Sequence, residues 1–376
     1  MNQARVPIPL ARPEVTEADI AAVTAVLRTP FLSGGPQLPA FEEAIATYVG
    51  VRHAVAVNSG TSALHLVFRS LGLKPGDEVI VPSFAFAAVG NVLLQENLVP
   101  VFADVERETF NLDPGSVSGA ITSRTRAILF VHTFGIPARA SELRALSRAR
   151  AIALIEDASE ALGSSIHGQR VGGFGDAGVF AFYPNKTITT GEGGIVVTDD
   201  QELADRCRRL RNQGRMVSSD WFQQCEVGFS YRLSDINCAL GLSQVQRMDE
   251  IFQRRKQIAR CYGERLSRLK QVELVSEKPG QEISWFTFTV RLRKEYSQRE
   301  RDTVWAELNR AGIGCARYFA PLHRQPVMMG RSKAQALPVT DEVAGRVFQL
   351  PFFNQITEQE IESVCEELHK ALSRIS

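Results

Sequence analysis

Between about residues 50 and 200 the chain alternates short apolar runs, rich in β-branched residues, with segments whose apolar positions recur at helical spacing. The runs are HAVAVNSG, EVIVPSFAF, LVPVFADV, RAILFVHTFG, AIALIEDAS, AGVFAFYP and GGIVVTDD, seven candidate strands. Pieces between them, such as TSALHLVFRSLGL and SELRALSRARA, carry the helical period. Nearly continuous apolar strands separated by helices predict a mostly parallel seven-stranded sheet covered on both faces, a three-layer α/β/α arrangement. In such a sheet ligands sit beyond the C-terminal strand ends. Polar residues cluster where the runs stop: Asn58, Ser59, Gly60, Thr61, Ser83, Asp104, His132, Thr133, Asp157 and Lys186.

After residue 200 a charged helical stretch, QELADRCRRLRNQG, leads into the loop RMVSSDWFQQCEVGFSYRLSD, and a long helical pattern runs from about Ser234 to Leu269. The remainder reads strand, strand, helix, strand, helix in VELVS, WFTFTVRL, RDTVWAELNRAG, CARYF and EQEIESVCEELHKAL. Thr357 and Glu360 stand at capping-box spacing ahead of the last helix. These patterns predict a large α/β domain over residues 1–245 and a small C-terminal α+β domain over residues 246–376. No internal repeat, low-complexity tract or useful heptad array interrupts them.

Composition removes several function classes. At 376 residues the chain can bury a sizeable core. Its 43 basic and 42 acidic residues give a net charge of +1, so no global field draws in nucleic acid or an acidic membrane surface. The six cysteines are scattered without a CxxC pair, and neither they nor the six histidines show zinc-ligand spacing, so no metal is expected. No apolar run approaches the roughly 20 residues that span a bilayer, and the N-terminal stretch does not read as a signal peptide. The expectation is a cytoplasmic enzyme.

Within FAFYPNKTITTGEGG, Lys186 follows an apolar strand. Desolvation there penalises the cation and favours the neutral amine that forms a Schiff base, although a solvated loop lysine fits the same local sequence. Asp157 ends a buried-looking strand and needs a partner; a helix cap or a structural ion pair is the alternative. In VNSGTSALHL a strand turns into a helix whose first amides come from Gly60, Thr61 and Ser62, which makes either an anion site or simple N-capping by Ser59 or Thr61. Phe86 follows a strand end, either to stack on a flat ligand or to sit in the core. Pyridoxal 5'-phosphate would use all of these together: an aldehyde for the amine, a ring nitrogen for the acid, and a phosphate for the amides.

In order and combination, FLSGGPQLPAFEEAIATYVG, VNSGTSALHL, GDEVIVPS, VPVFADVERETFNLD, IEDASEALGS, FAFYPNKTITTGEGG, LRNQG, GFSYRLSDINCALGLSQ and LPFFNQITEQEI resemble the DegT/DnrJ/EryC1/StrS sugar aminotransferases of the fold-type I pyridoxal phosphate enzymes. The resemblance implies that Lys186 is the Schiff-base lysine, Asp157 the partner of the pyridine nitrogen, Phe86 the stacking aromatic, and Gly60 with Thr61 the phosphate cradle. Three positions depart from the common pattern. Ala181 stands where many members have a phosphate-binding serine, and Ser230 stands, as a shorter substitute in cofactor binding, where many have an asparagine that reaches the neighbouring subunit's phosphate. Glu160 replaces a glutamine that touches the ring's phenolic oxygen; glutamate there is similar to the perosamine synthases, which aminate a 4-keto-6-deoxy sugar nucleotide. Ser33, Gly34, Arg232, Tyr318 and His323 fall in segments that line the active site of similar enzymes, as substrate contacts or as interface residues.

The expectation that follows is a homodimer with shared active sites, working by two half-reactions on L-glutamate and a nucleotide-linked keto sugar. The alternatives are amination of a ketone not carried on a nucleotide, such as a cyclitol or an antibiotic precursor, and a noncatalytic sensor that retains the fold. A dehydratase fits less well, because dehydratases similar to this family replace the lysine with histidine.

Overall fold

The structure, a computed structural model, describes residues 7–216 and 223–375; parts of the N-terminal stretch and of the loop after Gly214 therefore lie outside the described residues. All seven expected strands form. They lie in the order His53–Val57, Gly194–Thr198, Ala177–Ala181, Ala153–Asp157, Thr125–Val131, Glu78–Pro82 and Val99–Ala103. Gly194–Thr198 runs antiparallel to both its neighbours, and every other pairing except those two is parallel.

The sheet has eight strands rather than seven. Lys333–Ala334 adds a parallel edge strand beside Val99–Ala103. Two exposed residues carry no periodic signal. What holds them is a side chain, since Lys333 Nζ lies 2.7 Å from the buried Glu78 carboxylate.

Strand burial explains the apolar runs: every residue of Glu78–Pro82 and of Gly194–Thr198 is buried. Apolar packing lies on both sides of the sheet. Helix Gly60–Ser70 packs Ala63, Leu64, Val67 and Phe68 into one core with Val55, Val57, Val79 and Val81. Phe41 and Ile45, from helix Gln37–Val49, belong to another with Ala54, Ala56, Phe180 and Phe182.

The long helical pattern is two helices, Asp235–Val245 and Met248–Leu266. At the break Arg247 turns its guanidinium towards Asp19, 3.5 Å away, and the neighbouring Gln244 donates to the Glu14 carbonyl. The first helix packs against Glu17–Leu27 and Gln37–Val49, whereas Ile258, Tyr262 and Leu266 of the second enter a separate apolar core with Val290, Phe348 and Val364. That core surrounds a three-stranded sheet of Val272–Leu274, Phe288–Leu292 and Val347–Leu350, all antiparallel. Ile8 joins this second core, and Leu322 and Met328 join the first, so packing crosses the expected boundary near residue 245 in both directions.

The expected strand CARYF does not form. Only Ala316 bridges to Gln349, because Tyr318 N–H donates to the Gln349 side chain at 2.9 Å instead of to a neighbouring strand. The capping box does form, with Thr357 and Glu360 bonded reciprocally at the start of Glu358–Leu372.

Candidate active site

Asp157 closes the strand Ala153–Asp157 and is only 7% exposed. Its Oδ1 accepts from the Ser159 amide at 3.0 Å. Behind it the adjacent Glu156 is fully buried and accepts from the amides of Gly172, Phe174 and Gly175. His132 Nδ1 accepts the Ala138 amide at 3.0 Å, which leaves Nε2–H to donate to Glu156 at 3.0 Å. With the carboxylate on one side of this strand end so fully bonded, the strand presents Asp157 from a fixed base.

Helix Gly60–Ser70 begins beside it. The Ser59 hydroxyl accepts from the Ser62 amide at 3.1 Å, so Ser59 is the N-cap. The amides of Gly60 and Thr61 have no intrahelical acceptor and lie at the positive end of the helix dipole. A Cβ on Gly60 would come within 2.6 Å of the Ala181 Cβ, and one on Gly194 within 2.4 Å of Ser59 backbone. Glycine at both contacts seats the helix start directly on two strands.

Lys186 sits in the loop after Ala177–Ala181, its side chain 14% exposed. The loop is tied to that strand's end: Thr190 N–H and Thr189 Oγ1 both donate to the Phe182 carbonyl. Gln244, from helix Asp235–Val245, accepts the Thr189 amide. Lys186 Nζ lies 3.4 Å from Glu160 Oε1 and 4.3 Å from the centre of the Phe286 ring. Glu160 Oε2 accepts the Phe134 amide at 2.9 Å. Burial pushes the Glu160 carboxyl above its ordinary value despite the Lys186 charge, and the nearby Asp157 adds to the shift.

These groups open onto one cleft of about 460 Å³ that also takes in Phe86, Ala181, Tyr183, Asn185, Tyr318 and Phe319. Of the residues singled out in the sequence, Ser59, Gly60, Thr61, Phe86, Asp157, Glu160, Ala181, Lys186 and Tyr318 line it. Phe86 is 64% exposed, which excludes the core reading of that ring. The others lie elsewhere on the chain. Ser33 and Gly34 occupy an exposed loop held by the buried Asp235, which accepts the Gly35 and Gln37 amides. Ser230 and Arg232 are exposed and bond each other at 2.9 Å, with Arg232 also reaching Asn212. His323 bonds the Ser83 hydroxyl at 2.7 Å and lies 3.4 Å from Asp341; burial pulls its pKa down.

Several cleft residues carried no signal in the sequence. Phe286 and Phe319 come from the second half of the chain, where WFTFTVRL reads simply as a strand that in fact begins at Phe288. Asn185 precedes the lysine in the stretch PNK, and its buried Oδ1 has no hydrogen-bond partner in the protein.

An amine, a carboxylate, helix-start amides, a flat exposed aromatic and an unpartnered amide oxygen fit a flat cofactor with an aldehyde, a basic ring nitrogen and a phosphate. Among the described residues no group of His, Cys, Asp or Glu is arranged to hold a metal ion. No helix of the described residues is long and apolar enough to cross a membrane.

Comparison with known proteins points the same way. The model of the DegT/DnrJ/EryC1/StrS aminotransferase family matches residues 13–369. An uncharacterized protein of Methanocaldococcus jannaschii is 32% identical over 378 residues, covering 97% of this chain and 98% of that protein. The Helicobacter pylori aminotransferase PseC, involved in pseudoaminic acid biosynthesis, superposes with a TM-score of 0.93 at 27% identity, over 98% of this chain and 100% of PseC. DesI, solved in the presence of its TDP-sugar product, gives a TM-score of 0.90 at 33% identity, over 98% of this chain and 93% of DesI.

Proposed function

The chain belongs to the DegT/DnrJ/EryC1/StrS aminotransferase family and is a pyridoxal phosphate-dependent aminotransferase, and from that premise we propose that it moves an amino group from L-glutamate to a nucleotide-linked keto sugar, a 4-keto-6-deoxy hexose. The observation that carries the reading is the gathering of Lys186, Asp157, Glu160 and the start of helix Gly60–Ser70 on a single cleft. DesI supports a nucleotide sugar, because its structure was obtained with a TDP-sugar product.

In this reading Lys186 would hold the cofactor through its Nζ, and the freed amine would take the proton from the donor's amine-bearing carbon and, in the second half-reaction, deliver one to the sugar's keto carbon. Asp157 would hold the ring nitrogen protonated. The Gly60 and Thr61 amides hold the phosphate, a role that Ala181, having no hydroxyl, leaves more heavily on the backbone. Phe86 would stack on the ring, and Glu160 would be the partner of its phenolic oxygen. The bound cofactor supplies an electron sink for the pair left when the proton departs.

Ser33, Gly34, Ser230 and Arg232 lie exposed and outside their own chain's cleft, so the reading assigns them to the cleft of a second copy, in a homodimer with shared sites. Arg232 brings a fork that suits a carboxylate or phosphate.

Purified protein given L-glutamate and a panel of dTDP-, UDP- and GDP-linked keto sugars should turn over at least one of them. Turnover of none, in protein whose yellow colour glutamate still bleaches, would shift the reading to a ketone free of nucleotide. Protein that glutamate fails to bleach would be the noncatalytic sensor.

A further inference from the structure

The wall opposite Lys186 is held by a residue that never enters the open cleft. Arg255, on helix Met248–Leu266, is 4% exposed, and burying a guanidinium is costly unless its donors are used. Here all three arms are used at 2.9 Å: Nε donates to the Trp285 carbonyl, Nη2 to the Phe286 carbonyl and Nη1 to Asn354 Oδ1. The guanidinium also lies 4.9 Å from the centre of the Phe352 ring.

The segment it grips needs such a grip. Trp285 has φ +53, a left-handed conformation that a bulky residue adopts only when its surroundings enforce it. On the other side of the segment the Ser284 amide donates to Ser164 Oγ at 2.9 Å. Held at both sides, the chain presents the Phe286 ring to the Lys186 ammonium at 4.3 Å. A ring face attracts a cation without the directional bond of a carboxylate, so it can hold the amine and still release it. Arg255 and Lys186 also share the lining of a small cavity of about 10 Å³, room for about one water molecule.

We infer that Arg255 is a positioning residue for the Lys186 amine: through the carbonyls of Trp285 and Phe286 it fixes the Phe286 ring, which together with the Glu160 carboxylate is the resting place of that amine whenever it is not covalently engaged. The inference deepens the role given to Lys186 above and rests on it, but its test needs no turnover.

The full chain, stripped of cofactor, is treated with trace acetic anhydride, and the labelling of Lys186 is measured by peptide mass spectrometry against the exposed Lys74. Phe286→Leu should raise relative labelling of Lys186 about five-fold, the factor corresponding to about 1 kcal/mol of ring–cation attraction. Arg255→Met should approach that value, and Arg255→Lys, whose single ammonium cannot reproduce the planar fork, should fall between. The double variant Phe286→Leu/Arg255→Met should match the larger single effect, because both act on one contact. Parent-level labelling in Arg255→Met with a native circular dichroism spectrum would overturn the inference, as would a double variant equal to the product of the singles. If Arg255→Met does not fold, parent-level labelling in Arg255→Lys overturns it in the same way. Failure of the parent chain to bind pyridoxal phosphate, alongside the expected labelling pattern, would sink the functional reading and leave the Arg255 inference standing.

Discussion

Glu78 opens the strand Glu78–Pro82, Glu160 follows the end of the strand Ala153–Asp157, and both side chains are buried. Their surroundings drive them in opposite directions. Glu78 has Lys333 at 2.7 Å, Arg124 at 2.8 Å and the Thr122 hydroxyl at 2.6 Å. Burial alone would raise its pKa, yet these partners outweigh burial and the net shift is downward. Glu160 has one ammonium at 3.4 Å and one amide at 2.9 Å, so burial prevails and the shift is upward. One residue type, buried in both places, thus serves two ends of the sheet differently. At the N-terminal end the charges are paired and hold an edge strand in place. At the C-terminal end they are left short of partners, which is the condition a binding site leaves for its ligand to complete.

The contrast breaks most severely if the cleft groups prove to be structural. Lys186→Ala should lower turnover by about ten-thousand-fold or more while leaving thermal unfolding close to the parent's, since the covalent anchor and proton carrier proposed above would have no substitute. Asp157→Ala should lower turnover by about a hundred- to a thousand-fold with the fold intact; near-normal initial rates would remove the ring-nitrogen role.

At the other end the effect should be on stability. Glu78→Ala should cost ~2 kcal/mol in urea unfolding at pH 7, below the usual figure for a broken buried pair because Lys333 and Arg124 are about half exposed and can turn to water. A carboxyl lowered in the folded state stabilises above its unfolded value of about 4.3 and loses that contribution as pH falls through the folded value, so the gap between Glu78→Ala and parent should close in acid.

Glu160→Gln should do the reverse, and more weakly. A carboxyl raised in the folded state destabilises as pH rises past the unfolded value, so the amide should make the cofactor-free chain more stable at pH 8, with the difference vanishing towards pH 4. A melting-temperature series across that range reads the sign directly. Equal melting temperatures at pH 8 would mean that Lys186 and the Phe134 amide satisfy Glu160 fully, and the two ends of the sheet would then not differ.

The same division separates what was legible in the chain from what was not. The seven long strands were legible because each buries nearly all its residues, and burial on both faces writes itself as an unbroken apolar run. Lys186, Asp157, Gly60, Thr61 and Phe86 were legible because each stands where such a run stops. Lys333–Ala334 was not, since an edge of two residues depends on the distant Glu78 for its hold. CARYF misled because an apolar, aromatic stretch resembles a strand, whereas its Tyr318 amide is taken by the Gln349 side chain and its aromatics line the cleft.

By itself, then, the sequence determined the elements and the chemistry at their ends, because periodicity, capping and residue type act over a few positions along the chain. Only the tertiary structure decided which second-half residues face Lys186, how a buried Arg255 holds Phe286 against it, and why two buried glutamates differ. Those outcomes depend on groups more than twenty residues apart meeting within a few ångströms, and the field at a buried atom is set by that meeting rather than by its neighbours in sequence.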